Sequence, residues 1–100
     1  MSIENILREA TTVLSAAMRY SNQLAEVNRI DNELHRMRVL ITTVAAHSYS
    51  SLGGSANLAE ELNELQNVKN TILRIAEQRF KGNTQILKEF QYSPQMKKDF

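Results

Sequence analysis

Two histidines are the residues of this chain best suited to chemistry. His35 follows Asp31 by four residues, which places both side chains on one face of a helix. Such a pair can supply two ligands to a metal ion, but a zinc site takes at least three from the protein. The alternative interpretation, a solvent-exposed charged face, fits the neighbouring charged residues Glu33 and Arg36.

The second histidine, His47, is followed by Ser48 and Tyr49. A nucleophilic serine requires a base, an acid that orients the base, and a pocket that excludes water. A pair of long helices provides no such pocket, and a histidine near a helix C-terminus is also explained by a favourable contact with the helix dipole. We therefore predict that the protein is not an enzyme and has no catalytic, cofactor-binding or metal-binding residues.

Cysteine chemistry and phosphate binding are excluded on composition and motif. The chain of 100 residues contains no Cys, so it forms no disulfide and no thiolate metal site. Gly53 and Gly54 are adjacent, but no Gly-Lys-Ser/Thr sequence follows them, and a phosphate-binding loop requires that ending. The two glycines are therefore interpreted structurally.

Basic residues concentrate in the second half of the chain. Between Lys69 and Lys98 there are seven, against the two acids Glu77 and Glu89. With Phe80 nearby, this segment could contact nucleic acid or an acidic partner. The alternative is compensation of a helix dipole together with solvation. The net charge of +1 makes nucleic-acid binding the weaker expectation.

The first half of the chain reads as one long helix. Apolar residues recur there at steps of three and four, and neither Gly nor Pro interrupts residues 1–52. This main stripe comprises Ile6, Ala10, Val13, Ala17, Tyr20, Leu24, Val27, Ile30, Leu34, Met37, Ile41 and Val44. We predict a helix over residues 3–48, roughly 70 Å long at 1.5 Å per residue. Two consecutive steps of three, at Leu24, Val27 and Ile30, predict a local overwinding of that helix.

The second half repeats this design. A second helix is expected over residues 57–81 or 57–91, with Asn57 as its N-cap and Glu60 as the reciprocal partner. The turn over residues 49–56 contains Gly53 and Gly54, which tolerate the positive φ that ends a helix; a flexible linker is the alternative. The fold class is therefore all-α: one domain, residues 1–100, forming an antiparallel two-helix hairpin of long coiled-coil-like helices. Residues 92–100 are expected either to form one helical turn that starts at Ser93 and Pro94 or to lack fixed structure.

Aromatic residues make up only 6% of the chain, and each helix carries apolar residues beside its main stripe. These are Leu7, Leu14, Met18, Val39 and Leu40 in the first half and Leu73 in the second. One hairpin cannot bury both sides of its helices, so we predict that it pairs with another helical protein or with itself in a four-helix bundle. The residues expected at the helix interfaces are Leu24, Val27, Ile30, Leu34, Met37, Ile41, Leu62, Leu65, Ile72 and Phe80.

The turn carries a resemblance to a known family. The sequence SLGGSANL is similar to the Trp-x-Gly turn of the WXG family of type VII (ESX-type) secretion proteins, with Leu52 at the Trp position, Gly54 at the Gly position and Ala56 at a small position. The sequence departs from the family where Leu52 replaces Trp and where Met96, rather than an acid, stands four residues after Tyr92. The resemblance implies a helical hairpin that is exported itself or acts as an accessory partner of exported proteins.

Two function classes therefore remain: a WXG-like secreted or accessory protein, and a helical chaperone, adaptor or small phage-encoded assembly or inhibitory protein. Export would proceed without a cleaved signal peptide, because Glu4 and Glu9 occupy the region where a signal peptide is basic; otherwise the protein is expected in the cytoplasm. No apolar run is long enough to span a membrane.

The C-terminal segment, residues 82–100, is expected to be dispensable for folding. Gly82 and Asn83 interrupt the second helix, and the segment beyond them holds sparse aromatic and basic residues. We predict that it recognises a partner through Phe90, Tyr92, Lys97 and Lys98.

Overall fold

The computed structural model describes residues 2–49 and 55–91. Within them the chain forms α1 (Ile3–Arg19), α2 (Ser21–Ala25), α3 (Asp31–Tyr49), α4 (Ser55–Arg79) and α5 (Thr84–Lys88). No described residue lies in a β-strand, so the predicted all-α class is confirmed. The centre of the predicted turn, residues 50–54, lies outside the described residues.

Helix α1 has the sequence signals of a well-formed helix. The Ser2 hydroxyl caps its N-terminus by accepting a hydrogen bond from the Asn5 backbone N–H at 3.1 Å. Glu4 lies in the first turn and Arg19 in the last, where each complements the helix dipole. The buried face is made of small and medium-sized residues, which allow close approach of other helices: Ile6, Ala10, Val13, Ala16 and Ala17.

The predicted continuous helix over residues 3–48 is wrong. The short helix α2 follows α1, and residues 26–30 are not helical. The Val27 and Asn28 N–H groups both donate to the Leu24 carbonyl, at 3.0 and 3.2 Å. The Asn28 side-chain oxygen then accepts from the Arg29 N–H at 2.8 Å, and α3 begins at Asp31. Local hydrogen bonds therefore end the helix without Gly or Pro.

The break coincides with the two consecutive steps of three. In a continuous helix, two such steps would rotate the apolar stripe away from its partner. Because the chain turns there instead, Leu24 and Ile30 are both fully buried, whereas Val27 is 40% exposed and is not an interface residue of the fold. The greatest extent of the molecule is 45 Å, far less than the roughly 70 Å of the predicted helix.

Three long helices contact one another: α1 packs against both α3 and α4, and α3 packs against α4. Helices α3 and α4 run in opposite directions. Their order is fixed by two pairs, since His47 near the end of α3 contacts Glu61 near the start of α4, while Glu26 just before α3 contacts Arg79 at the end of α4. Helix α1 is thus a third long helix that the two-helix prediction did not include.

Except for Val27, the predicted interface residues lie in or against the core of this single chain. Those that are buried are Leu24, Ile30, Leu34, Met37, Leu65, Ile72 and Phe80, and those that are half-buried against the core are Ile41 and Leu62. A second hairpin was expected to cover much of this surface. The break at residues 26–30 folds α1 back onto α3 and α4, so the chain covers it with its own first helix.

The chain also folds back after α4. Gly82 has φ +87°, a conformation that favours glycine, and the Asn83 side chain caps α5 by accepting from the Ile86 N–H at 3.1 Å. This turn returns the chain to the core, where Phe90 is only 1% exposed. The prediction that Phe90 belongs to an exposed recognition segment is therefore wrong. Helix α4 begins at Ser55, two residues before the predicted cap Asn57.

Candidate interaction surface

The first candidate chemical pair, Asp31 and His35, lies on the exposed side of α3. Among residues 2–49 and 55–91, no group of three or more His, Cys, Asp or Glu residues is placed to hold a metal ion. Asp31 stands in the first turn of α3, where its charge complements the helix dipole. Both side chains are therefore solvated, and no third ligand lies beside them among the described residues.

The second candidate pair, His47 and Ser48, does not form. The Ser48 hydroxyl donates to the Ala45 carbonyl of its own helix at 2.9 Å. His47 Nδ1 instead lies 2.7 Å from Glu61 Oε1. His47 and Ser48 thus contact different partners, so His47 is not placed to activate the Ser48 hydroxyl. The His47–Glu61 contact joins the end of α3 to the beginning of α4.

A cluster of three rings closes the end of the molecule where α1, α4 and α5 meet; we call Tyr20, Phe80 and Phe90 the aromatic end. The Tyr20 ring meets Phe80 edge-on at a centroid distance of 5.4 Å and stacks on Phe90 at 6.2 Å. The Arg79 guanidinium lies 5.4 Å from the centre of the Phe80 ring and pairs with Glu26 at 2.9 Å. These contacts attach the end of α4 to Tyr20, between α1 and α2, and to Glu26, at the start of the turn over residues 26–30.

Polar groups complete the aromatic end. The Tyr20 hydroxyl donates to Glu89 Oε2 at 2.5 Å, and Arg19 forms an ion pair with the same carboxylate. The hydrogen bond to Glu89, with further contributions from desolvation and from the Glu89 charge, raises the pKa of Tyr20 above its usual value of 10.0. The raised pKa favours the protonated phenol that makes the bond, and the bond joins Tyr20 to the residue that follows α5.

The apolar residues beside the main stripes differ in their solvent exposure. Leu40 is buried, and Leu7, Leu14 and Leu73 are half-buried against the core. Met18 of α1 and Val39 of α3 remain exposed, each at 48%. These two residues are the part of the predicted second apolar side that the fold leaves accessible.

Met18 and Val39 lie in two neighbouring grooves that share one residue. The first groove has a volume of about 330 Å³ and is lined by Met18, Ser21, Asp31, Leu34 and Arg38. The second has a volume of about 350 Å³ and is lined by His35, Arg38, Val39, Thr42 and Thr43. Because Arg38 lines both, they form one continuous surface, which we call the α1–α3 face.

The α1–α3 face combines exposed apolar side chains with a charged one. Met18 is flexible and polarizable, and such side chains adapt to different apolar partners. Arg38 has no ion-pair partner among the described residues, so its guanidinium is free to bind a carboxylate of another molecule.

Several predicted site residues cannot be placed. The turn residues Leu52, Gly53 and Gly54 and the recognition residues Tyr92, Lys97 and Lys98 lie outside the described residues. Conversely, the sequence reasoning missed the contact between Tyr20 and Glu89, which are far apart in the chain. The available signal was the pairing of Gly82 with Asn83, which indicates a reversal as well as an interruption of a helix.

Comparison of the chain with protein-family models, curated proteins and solved structures finds no match. No helix formed by residues 2–49 or 55–91 has the length and apolar character needed to cross a membrane.

Proposed function

We propose that this chain is a non-enzymatic helical interaction module whose α1–α3 face receives a helix from another protein or from a second copy. The observation that carries the proposal is the exposure of Met18 and Val39 on a grooved surface around Arg38. Exposed apolar residues that share a concave surface with an unpaired cation favour binding over mere solvation.

The fold suggests how a partner helix binds. Helices α1, α3 and α4 already contact one another, and one further helix along the α1–α3 face would produce a four-helix arrangement. Such a helix would place apolar residues against Met18 and Val39 and an acidic residue near Arg38. This differs from the pairing of two open hairpins, because most of the apolar surface is already buried within one chain.

A more specific form of the proposal is an accessory or secreted protein of a type VII secretion system. Its support is the similarity of Leu52, Gly54 and Ala56 to the WXG turn. The break at residues 26–30 departs from a hairpin of two uninterrupted helices, so this form depends on the turn alone. The alternative is a helical chaperone or adaptor, or a phage-encoded assembly or inhibitory protein, which needs the same face and no export.

Charge insertion on the α1–α3 face tests the interaction module. The double variant Met18→Asp/Val39→Asp is compared with Val27→Asp, since Val27 is also exposed but lies outside the two grooves. We expect the double variant to abolish self-association in sedimentation equilibrium, or co-purification of a partner that the wild-type protein retains. Val27→Asp should leave both unchanged.

A wild-type protein that sediments as a monomer at micromolar concentrations and retains no partner would contradict the proposal. Equal loss of association in the double variant and in Val27→Asp would show that the α1–α3 face is not the site. Co-expression with the products of neighbouring genes, followed by assay of the culture medium, separates an exported protein from an adaptor that stays in the cell.

A further inference from the structure

We propose that a second surface, the groove between residues 26–30 and α4, binds an acidic peptide segment in extended conformation. This loop–α4 groove has a volume of about 570 Å³. The groove is lined by Asn28 from the loop, by Thr71, Arg74 and Gln78 from α4, and by Lys81 just after the end of α4. The proposal does not depend on the α1–α3 face, with which this groove shares no residue.

The groove has an excess of unpaired positive charge. Arg74 lies on α4 and Lys81 lies two residues after its end, and both side chains line the groove. Neither forms an ion pair with a described residue, whereas Arg19, Arg36 and Arg79 each have a carboxylate partner. The Arg74 guanidinium contacts the Thr71 hydroxyl at 3.4 Å, which leaves its charge uncompensated.

One acidic residue, Glu77, lines the groove and does not cancel this excess. It lies between the two cations in the sequence but is not within ion-pair distance of either. Arg29, which follows Asn28 in the chain, is exposed and also has no ion-pair partner among the described residues. The local field therefore favours a ligand with at least two negative charges spaced along its length.

Amide side chains give the groove the means to bind a peptide backbone. The Gln78 amide has no hydrogen-bond partner among the described residues, and it carries both a donor and an acceptor. The Asn28 oxygen accepts from Arg29 N–H, but its NH₂ group remains available to donate. An extended peptide presents N–H and C=O groups in alternation, so it matches these amides while its carboxylates reach Arg74 and Lys81.

The same features disfavour nucleic acid as the occupant. Single-stranded nucleic acid is usually held by aromatic side chains that stack on the bases, and no aromatic residue lines this groove. The net charge of the whole chain is only +1, so the molecule has no general basic surface to follow a phosphate backbone. The geometry therefore points to an acidic segment of a protein.

Fluorescence anisotropy with a short labelled peptide of alternating glutamate and alanine tests the proposal. The groove variant Arg74→Gln/Lys81→Gln is compared with Lys69→Gln/Lys88→Gln, which removes the same charge from residues that do not line the groove. We expect the groove variant to weaken binding about tenfold or more, because it removes two charge-assisted contacts. The control variant should weaken binding by no more than about twofold at physiological salt, where distant charges are screened.

Three results would overturn the proposal. The first is an absence of peptide binding by the wild-type chain at low salt. The second is an equal loss of binding in the two variants, which would indicate diffuse attraction rather than a site. The third is tighter binding of an oligothymidylate of equal charge than of the peptide. Circular dichroism confirms that both variants are folded, and Met18→Asp/Val39→Asp should bind the peptide normally whatever happens to the α1–α3 face.

Discussion

The aromatic end and the α1–α3 face show two outcomes for apolar residues that one helix cannot bury alone. At the aromatic end, residues after Gly82 fold back and place Phe90 against Tyr20 and Phe80. On the α1–α3 face no described segment returns, so Met18 and Val39 stay exposed. The difference shows that a chain segment able to reverse direction decides whether apolar surface becomes core or a candidate interface.

The largest expected effect tests whether the aromatic end is part of the core. Phe90→Ala should destabilise the protein by about 3–5 kcal/mol, because it empties a buried aromatic site. Urea unfolding followed by circular dichroism measures the change. Truncation after Lys81 should be at least as harmful, whereas truncation after Gln91 keeps Phe90 and serves as its control. If the truncation after Lys81 unfolds like the wild type, residues 82–91 do not belong to the core.

A second substitution examines the core beneath the α1–α3 face. Leu34 is buried, although it also borders a groove of that face. Leu34→Ala should cost roughly 2–5 kcal/mol of unfolding free energy. The control, Arg36→Ala, removes an exposed ion pair with Glu64 at 3.6 Å and should change stability by at most about 0.5 kcal/mol. Similar effects of the two substitutions in the same urea experiment would mean that α3 is rotated from the orientation described above.

The reversal at Gly82 can be tested separately from the rings. Gly82→Ala should destabilise by about 1–2 kcal/mol, since a side chain is disfavoured at positive φ. A Cβ atom at this position would meet no atom within 4 Å, so the cost comes from the backbone and not from a clash. Lys81→Ala is the neighbouring control and should be nearly neutral in thermal unfolding. A neutral Gly82→Ala would show that the chain does not reverse through this conformation.

The smallest effect concerns the pH dependence of the Tyr20–Glu89 hydrogen bond. The folded-state pKa of Tyr20 is raised above 10.0, so its contribution to stability is complete below about pH 10 and is lost as the pH rises through the folded pKa. Tyr20→Phe should therefore be less stable than the wild type at neutral pH, and the gap should narrow above about pH 10. Unfolding free energies of the two proteins measured across this range check the prediction. A difference in stability that stays constant would mean that ionisation of Tyr20 does not break this hydrogen bond.

Much of the core was predictable from periodicity alone. Steps of three and four identified Ile6, Ala10 and Val13 in α1 and Met37 and Val44 in α3, and all five are buried. Periodicity works here because it reports which side of a helix faces apolar neighbours, whatever those neighbours are. For the same reason it could not tell whether the neighbours of Leu34 belong to a second molecule or to the same chain.

The candidate interaction surface was predictable only in part. The excess of apolar residues indicated that some would remain exposed, and Met18 and Val39 do. Leu40 also lies beside the main stripe in the sequence, like Met18 and Val39. It is nevertheless buried, because the other helices cover its position on α3 once they pack. Separating these cases requires knowing where α1 lies relative to α3, which depends on the turn over residues 26–30.

The sequence by itself determined that this protein is all-α and which side of each helix is apolar. Tertiary structure alone decided that the chain reverses at residues 26–30. A stretch such as Leu24 to Ile30 is compatible with either a helix or a turn, because local hydrogen bonds satisfy the backbone in both. The turn prevails since it lets α1 bury its apolar face against α3 and α4, a gain that appears only when distant segments meet.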